Sequence, residues 1–223
     1  MPKITWLGHA CFLIEDEIRI IIDPWIRGNP QCPIGLEEVP KLEHILVTHD
    51  HGDHLGDAID LAKRDDAKII AIYDLAEYVR GQGVKNAIGA NIGGWMDVDG
   101  IKYKLTPALH SCKHGVPVGF LIRLRDGKVI YHAGDTGFTN EFEVIGRLNR
   151  IDVAMLPIGG HFTMDIREAV IATQVLNPRV VVPMHYGTFP QIKANPEEFK
   201  KALRWIKPEV EVRVLKPGES FTI

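Results

Sequence analysis

The sequence predicts an α/β protein, a four-layer αββα sandwich built from two similar halves. Three short strands open each half, and a buried strand, a helix and a second buried strand follow them. Polar residues end the corresponding strands at a constant spacing. A chain of 223 residues with 45% hydrophobic residues can bury a substantial core. We therefore expect a single domain over residues 1–223, with halves at about 1–100 and 101–223.

The first half consists of apolar stretches separated by tight turns, a pattern typical of short strands. An amphipathic stretch between two continuous apolar runs predicts a helix between buried strands. In chain order we predict three strands, a buried strand, a helix and another buried strand, at residues 3–8, 10–15, 18–23, 44–47, 55–64 and 68–72.

The second half repeats this order, at residues 101–108, 116–125, 128–132, 152–156, 166–176 and 180–184. Asp126-Gly127 is a strong signal for a hairpin between its second and third strands. Asn195 as the N-cap and Pro196 at the first helical position predict a further helix, ending near Ile206. A turn at 216–219 is expected to precede a last short strand.

Polar residues end the corresponding strands of the two halves. Three pairs are each 112 residues apart, namely Asp23 and Asp135, His49 and His161, and Tyr73 and His185. Sheets of this kind bind ligands at the carboxyl ends of their strands. We therefore expect the strand ends of the two halves to form one site.

Charge and composition argue against several classes of protein. A net charge of −3 and a pI near 6.4 do not fit a general nucleic-acid-binding protein, which usually has a strongly basic face. No apolar run approaches the ~20 residues of a membrane-spanning helix, and no signal-peptide pattern is present. Cys11, Cys32 and Cys112 are too widely spaced for a disulfide framework or a Cys-x-x-Cys site. We expect a cytoplasmic, reduced protein.

The run from Thr48 to His54 places three imidazoles and two carboxylates directly after an apolar stretch. Imidazole and carboxylate are the ligands of Zn²⁺ and other first-row divalent metals. From an extended segment His49 and His51 point the same way. Asp53 and His54, beyond a glycine that frees the turn, are expected to reach a second position. The motif predicts that one loop starts two adjacent metal sites.

A dinuclear site needs more ligands than this loop supplies, and later strand ends offer them. His110 follows an apolar, strand-like run, and His185 ends the predicted strand at 180–184. Asp135 follows Gly134, which lets the backbone turn sharply and expose the carboxylate. These three residues are the candidates for the remaining ligands.

With these motifs the chain resembles the metallo-β-lactamase superfamily, in particular the small metal-dependent hydrolases related to L-ascorbate 6-phosphate lactonase. The resemblance extends from Gly8-His9 to His185-Tyr186-Gly187 and includes the ordered series His110, Asp135, His185. It implies one metal ion held by His49, His51 and His110, a second held by Asp53, His54 and His185, and Asp135 bridging the two.

The predicted function is hydrolysis by a metal-bridged hydroxide. A water between two divalent cations loses a proton easily, since a single zinc already brings its pKa to about 7. Asp53 is the catalytic candidate that orients the nucleophile or relays its proton. His161, after two glycines, is a candidate general acid and substrate-binding residue, or else a histidine bonded to a loop carbonyl. His9 is a candidate for substrate binding or support of the site, and Asp23 for support.

The resemblance implies a small ester, lactone or phosphodiester as the substrate. Only 55 residues separate His54 from His110 and only 38 follow His185, which leaves no room for the extra domains of relatives that cleave RNA or thiolesters. A homo-oligomer could complete the pocket wall. Zinc is the expected metal, with manganese, iron, cobalt or nickel as alternatives. The alternative function is a mononuclear iron oxygenase on the same fold. A third class, an inactive binding protein, conflicts with the intact ligand series.

Overall fold

The computed structural model describes residues 1–223, and the chain forms two compact units. Unit 1 comprises Met1–Asn91, Ser111–Val116 and Leu215–Ile223, and unit 2 comprises Ile92–His110 and Pro117–Val214. The strands are β1 (Lys3–Trp6), β2 (Phe12–Glu15), β3 (Arg19–Ile22), β4 (His44–Leu46), β5 (Lys68–Ile72), β6 (Ala87–Ala90), β7 (Met96–Val98), β8 (Ile101–Pro107), β9 (Val118–Arg123), β10 (Val129–His132), β11 (Val153–Pro157), β12 (Val180–Met184), β13 (Glu211–Val212) and β14 (Ser220–Thr222). The helices are α1 (Gly52–Leu55), α2 (Ala58–Asp65), α3 (Tyr73–Gly81), α4 (Glu141–Leu148), α5 (Ile166–Leu176) and α6 (Pro196–Ile206), with a 3₁₀ turn at Leu36–Glu38.

Unit 1 contains a seven-stranded mixed sheet in the order β14-β1-β2-β3-β4-β5-β6. Its strands pair antiparallel from β14 to β3 and parallel from β3 to β6. In β3 the three consecutive isoleucines are fully buried, as expected for a strand that is covered on both faces. α1 and α2 connect β4 to β5, and α3 connects β5 to β6.

Unit 2 repeats this plan in the order β13-β12-β11-β10-β9-β8-β7. Pairing is antiparallel from β7 to β10 and parallel from β10 to β13. The α6 helix begins as predicted, because the Asn195 side chain accepts the N–H of Glu197 and Pro196 occupies the first helical position. In the same way Asp165 caps α5 by accepting the N–H of Glu168.

Each predicted strand is present with its ends shifted by a few residues, and the helix predicted at 55–64 is present as α2, which begins at Ala58. The short helix α1 before it was not predicted, and the two helices are separate because Gly56 has a left-handed backbone (φ 42°). A Cβ on Gly56 would lie 2.5 Å from the carbonyl oxygen of Pro24, so only glycine fits. The short elements α3, α4, β6, β7 and β13 were not predicted.

The last strand, β14, pairs antiparallel with β1, with Phe221 opposite Ile4. The predicted turn before it is present: Gly218 has φ 85°, and the N–H of Glu219 donates to Lys216 O at 2.8 Å. Residues from both sequence halves therefore contribute to unit 1. The expectation of a single domain with halves meeting near residue 100 stays a prediction.

Candidate functional site

The His-x-His-x-Asp-His motif lies in unit 1, where it follows β4 and continues into α1. His51 is the last extended residue (φ −64°, ψ 149°), and its carbonyl oxygen accepts the N–H groups of His54 and Leu55 at 3.0 and 2.9 Å. Asp53 and His54 therefore lie on the first turn of α1. Gly52 does not have a positive φ, and no atom lies within 4 Å of its virtual Cβ. The expectation that this glycine frees the turn was wrong, since the start of the helix directs the chain.

The side chains of this loop converge. His49 Nε2 lies 2.9 Å from His51 Nδ1, and the ring centroids of His49 and His54 are 4.2 Å apart. His54 Nε2 is 4.0 Å from Asp53 Oδ2. His49 and His54 are buried, whereas His51 and Asp53 are partly exposed. Two neighbouring pairs of metal ligands on one segment would have to lie this close together.

Asp23 supports two of these histidines from the end of β3. Its Oδ1 accepts the N–H of Thr48 at 2.8 Å, and its Oδ2 accepts the Thr48 hydroxyl at 2.7 Å and His54 Nδ1–H at 2.8 Å. Because Thr48 Oγ1 donates its one proton to the carboxylate, it accepts from His49 Nδ1–H, which lies 3.0 Å away. His49 and His54 thus both carry a proton on Nδ1, which in a neutral imidazole leaves the lone pair on Nε2, the tautomer that a metal ligand needs.

His9 is fully buried in unit 1, with its Nε2 3.1 Å from Asp53 Oδ2. Its N–H donates to Gln31 Oε1 and its carbonyl oxygen accepts the Trp6 indole N–H, both at 3.0 Å. The edge of its ring meets Trp25 at a centroid distance of 5.1 Å. His9 therefore contacts Asp53 directly, and its expected contact with substrate stays a prediction.

Asp50, between His49 and His51, also belongs to a network. Burial works to raise the pKa of the Asp50 carboxyl, but the N–H groups of Lys113 and His114 and the His114 side chain outweigh it and lower that pKa. Asp50 is therefore a charged acceptor for residues 63 and 64 positions further along the chain.

Unit 2 brings together the three predicted ligands that follow β8, β10 and β12. Asp135 Oδ2 lies 2.9 Å from His185 Nε2 and 3.5 Å from His110 Nε2. The side chains of Asp135 and His185 are buried, and that of His110 is 11% exposed. Two imidazoles thus face one carboxylate.

Turns at the strand ends position these ligands. Gly134 adopts the sharp turn expected of it, with φ 64°. The N–H of Leu109 donates to the Thr136 hydroxyl at 2.9 Å, and the N–H of Gly137 donates to Leu109 O at 3.0 Å. These bonds hold the residue before His110 against the residues that follow Asp135.

His161 lies on an exposed loop after β11, with its ring edge-on to Phe162 at 4.3 Å. Gly159 in the same loop packs on His185, since a Cβ there would lie 2.2 Å from His185 O. The loop carrying His161 therefore adjoins one predicted ligand. The role of His161 in catalysis or substrate binding stays a prediction.

Four of the candidate site residues have a left-handed backbone, with φ between 46° and 58°. They are His9, Asp23, His161 and His185. For a residue with a Cβ this conformation costs roughly 1–2 kcal/mol. Such strain persists where surrounding structure enforces it, and it collects at functional sites.

The donors in each unit fit a divalent metal. The lone pairs of His49 and His54 are set by hydrogen bonds from behind, and Asp53 and Asp135 add carboxylate oxygens. Neutral imidazole with carboxylate suits zinc and its first-row neighbours better than calcium, which prefers oxygen ligands alone. Sequence reasoning gave Thr48 and Asp50 no role, yet Thr48 bonds to the predicted ligand His49, and Asp50 bonds to Lys113 and His114. Only the place of Thr48 at a strand end beside the first predicted ligand could have indicated its contact.

Comparison with known proteins defines the class. The profile of the Beta-lactamase superfamily domain matches residues 18–186. A UPF0173 metal-dependent hydrolase of Caldivirga maquilingensis is 53% identical over 226 residues, covering 100% of this chain and 99% of the relative. Another, of Korarchaeum cryptofilum, is 50% identical over 224 residues, covering 100% of both. The solved structure of a metallo hydrolase from the hyperthermophilic archaeon Ignicoccus hospitalis matches with TM-score 0.93 and 44% identity, over 100% of this chain and 99% of that one.

The chain therefore belongs to the UPF0173 metal-dependent hydrolases of the β-lactamase superfamily. Membership confirms the predicted α/β fold class and the prediction of a metal-dependent hydrolase. The closer relation to L-ascorbate 6-phosphate lactonase stays a prediction. No helix of the chain combines the length and the apolar character needed to cross a membrane.

Proposed function

We propose that this enzyme hydrolyses a small ester, lactone or phosphodiester with two bound divalent ions, zinc foremost. The observation that carries the proposal is the hydrogen-bond chain from Asp23 through Thr48, which leaves Nε2 of both His49 and His54 as metal donors. As the family resemblance implies, we assign His49, His51 and His110 to one ion, Asp53, His54 and His185 to the other, and Asp135 to both.

When bound, such a pair of ions lowers the pKa of a shared water, so that a hydroxide is available, and polarises the substrate oxygen that gains charge. We assign Asp53 the tasks of orienting the nucleophile and accepting its proton. Two observations support this role: the Asp53 side chain is 22% exposed, so substrate can approach it, and its Oδ2 is held 3.1 Å from His9 Nε2. An Asp53→Asn protein that kept both metals and full turnover would refute it.

His161 is our candidate for substrate contact and proton donation to the leaving group. Its exposed ring, its strained backbone and the packing of Gly159 on His185 support this assignment. For His9 we propose an action on substrate through Asp53, because the His9 ring is fully buried.

The proposal that the substrate is small is supported by a cleft in unit 2, between the starts of α5 and α6. The cleft measures about 320 Å³ and includes Gly159 in its lining. Pockets for small molecules have volumes from about 300 Å³ upward.

The test combines metal content with turnover. We expect elemental analysis to find about two zinc or manganese equivalents per chain, with activity on lactones or phosphodiesters that chelation abolishes and the same metal restores. One tightly bound iron with substrate-dependent oxygen consumption would overturn the proposal in favour of the oxygenase alternative.

We further propose that the enzyme works in the cytoplasm, since its three cysteines are free thiols, as is usual in a reducing compartment. Burial raises the pKa of the Cys11 thiol well above its ordinary value, which keeps it unreactive. A homo-oligomer that completes the pocket remains part of the proposal, to be tested by light scattering of the metal-loaded enzyme.

A further inference from the structure

Asp50 binds a segment of chain that follows the predicted ligand His110. Its Oδ1 accepts the N–H of Lys113 at 2.9 Å. Its Oδ2 accepts the N–H of His114 at 3.0 Å and lies 2.6 Å from His114 Nδ1. One side chain with 5% exposure thus accepts three hydrogen bonds from two consecutive residues.

The same segment is held on two further sides. The His114 ring stacks on Tyr78 with centroids 4.2 Å apart and an interplanar angle of 20°. Gly115 has φ 80°, and a Cβ there would lie 2.9 Å from Ile72 Cγ2. These contacts explain why Ser111–Val116 belongs to unit 1 although the residues before and after it belong to unit 2.

We propose that Asp50 is a positioning residue for the metal ligand His110. Asp50 is bonded covalently to His49 and His51, and the segment that it anchors begins at Ser111, the residue after His110. Displacing this segment by an ångström would move the backbone of one ligand, whereas metal affinity depends on ligand positions within tenths of an ångström. The inference rests on the proposed function, because it takes His110 as a ligand.

Asp50→Ala and Asp50→Asn test this, with Asp65→Asn as the matched control. Asp65 is 7% exposed, accepts the N–H of Leu42 at 2.8 Å and pairs with Arg64, but holds no predicted ligand. The first measurement is amide hydrogen exchange of residues 111–116 in metal-free protein. The second is titration with Co²⁺, whose visible absorption reports the number and geometry of its ligands.

We expect Asp50→Ala to exchange residues 111–116 at least about 10-fold faster, because the amides of Lys113 and His114 both lose their acceptor. Asp50→Asn keeps one side-chain oxygen as an acceptor, so its exchange should lie between those of the wild type and Asp50→Ala. Co²⁺ affinity should fall about 10- to 100-fold, with an altered absorption spectrum. Asp65→Asn should match the wild type in both. Wild-type Co²⁺ binding by Asp50→Ala, or equal losses in Asp65→Asn, would overturn the proposal.

Gly115→Ala provides a second route, since it displaces the segment from the Ile72 side and leaves Asp50 intact. Gly115→Ala should weaken Co²⁺ binding as Asp50→Ala does. Unchanged Co²⁺ binding, together with faster hydrogen exchange of residues 111–116, would contradict the positioning role.

His110→Ala separates the two proposals. If it binds Co²⁺ as the wild type does, the ligand assignment fails and the positioning role fails with it. If it loses Co²⁺ while Asp50→Ala does not, only the positioning role fails.

Discussion

The two units have the same order of antiparallel and parallel strands, but they hold their candidate ligands differently. In unit 1 the four candidate ligands lie within six consecutive residues, from His49 to His54. In unit 2 the three candidate ligands follow the ends of three strands and are spread from His110 to His185. A ligand set within one loop depends on a single turn, whereas a dispersed set depends on the register of a whole sheet.

The support of the ligands also differs. In unit 1 Asp23 bonds to the far side of His54, and to His49 through Thr48. In unit 2 Asp135 faces His110 and His185 directly. In unit 1 the rings of His49 and His54 are therefore held by side-chain bonds to Nδ1, on the side away from Nε2. In unit 2 backbone bonds at the strand ends position the candidate ligands.

The largest effect is expected from Asp135→Ala, because it removes the carboxylate shared by the unit 2 ligands. Catalytic efficiency, kcat/KM, should fall by more than about 100-fold. This exceeds the loss of about 10- to 100-fold that is typical when a residue hydrogen-bonded to a metal ligand is replaced. Metal content should fall with it. Asp152→Asn is the control, since Asp152 accepts the N–H of Val129 at 2.9 Å before β11 begins and holds no ligand. Retention of metal and half the activity by Asp135→Ala would show that the Asp135 carboxylate is not required.

Asp23→Asn should rank second and tests the support in unit 1. It disturbs the tautomers of His49 and His54 together, so metal affinity should fall about 10- to 100-fold. Thr48→Val disturbs only His49 and should cost less. Titration of both variants with zinc checks the order, and a larger loss in Thr48→Val would contradict the hydrogen-bond chain from Asp23.

His161→Ala should have a moderate effect, since the ring is exposed and makes no predicted metal bond. We expect kcat/KM to fall about 10-fold, equivalent to about 1.4 kcal/mol, with metal content unchanged. Phe162→Ala controls for packing within the loop. If neither kcat nor KM changes in His161→Ala, His161 has no functional role.

The smallest effect is expected from Gly52→Ala in the unit 1 loop. The added Cβ meets nothing within 4 Å, so the free energy of unfolding should change by less than about 1 kcal/mol. Gly159→Ala in unit 2 should cost considerably more, because its Cβ would collide with His185 O. Urea denaturation of the two variants measures this difference, and a greater loss in Gly52→Ala would reverse the comparison.

Sequence reasoning recovered what depends on local patterns. The ligand loop could be read directly, and α5 matches its predicted bounds, 166–176, because apolar periodicity and an Asp cap coincide there. The candidate ligands of unit 2 could be found as polar residues at strand ends, but their assignment to one metal position or the other needed the family resemblance, since each of them is separated from the others by a strand or more.

Other features depend on contacts that no local pattern records. The break between α1 and α2 at Gly56 depends on Pro24, 32 residues earlier. The bond from His114 to Asp50 spans 64 residues. The tautomers of His49 and His54 depend on the single proton of Thr48, which only the geometry of three side chains determines.

The left-handed backbones of Asp23 and His185 have a consequence for evolution. Glycine would relieve roughly 1–2 kcal/mol of strain at such a position, but Asp23→Gly would leave the buried donors of Thr48 and His54 without their acceptor, at about 1–3 kcal/mol for each unsatisfied group. His185→Gly would leave a cavity in place of a buried ring. A laboratory lineage selected for heat resistance alone should therefore keep both side chains, even when turnover is not selected.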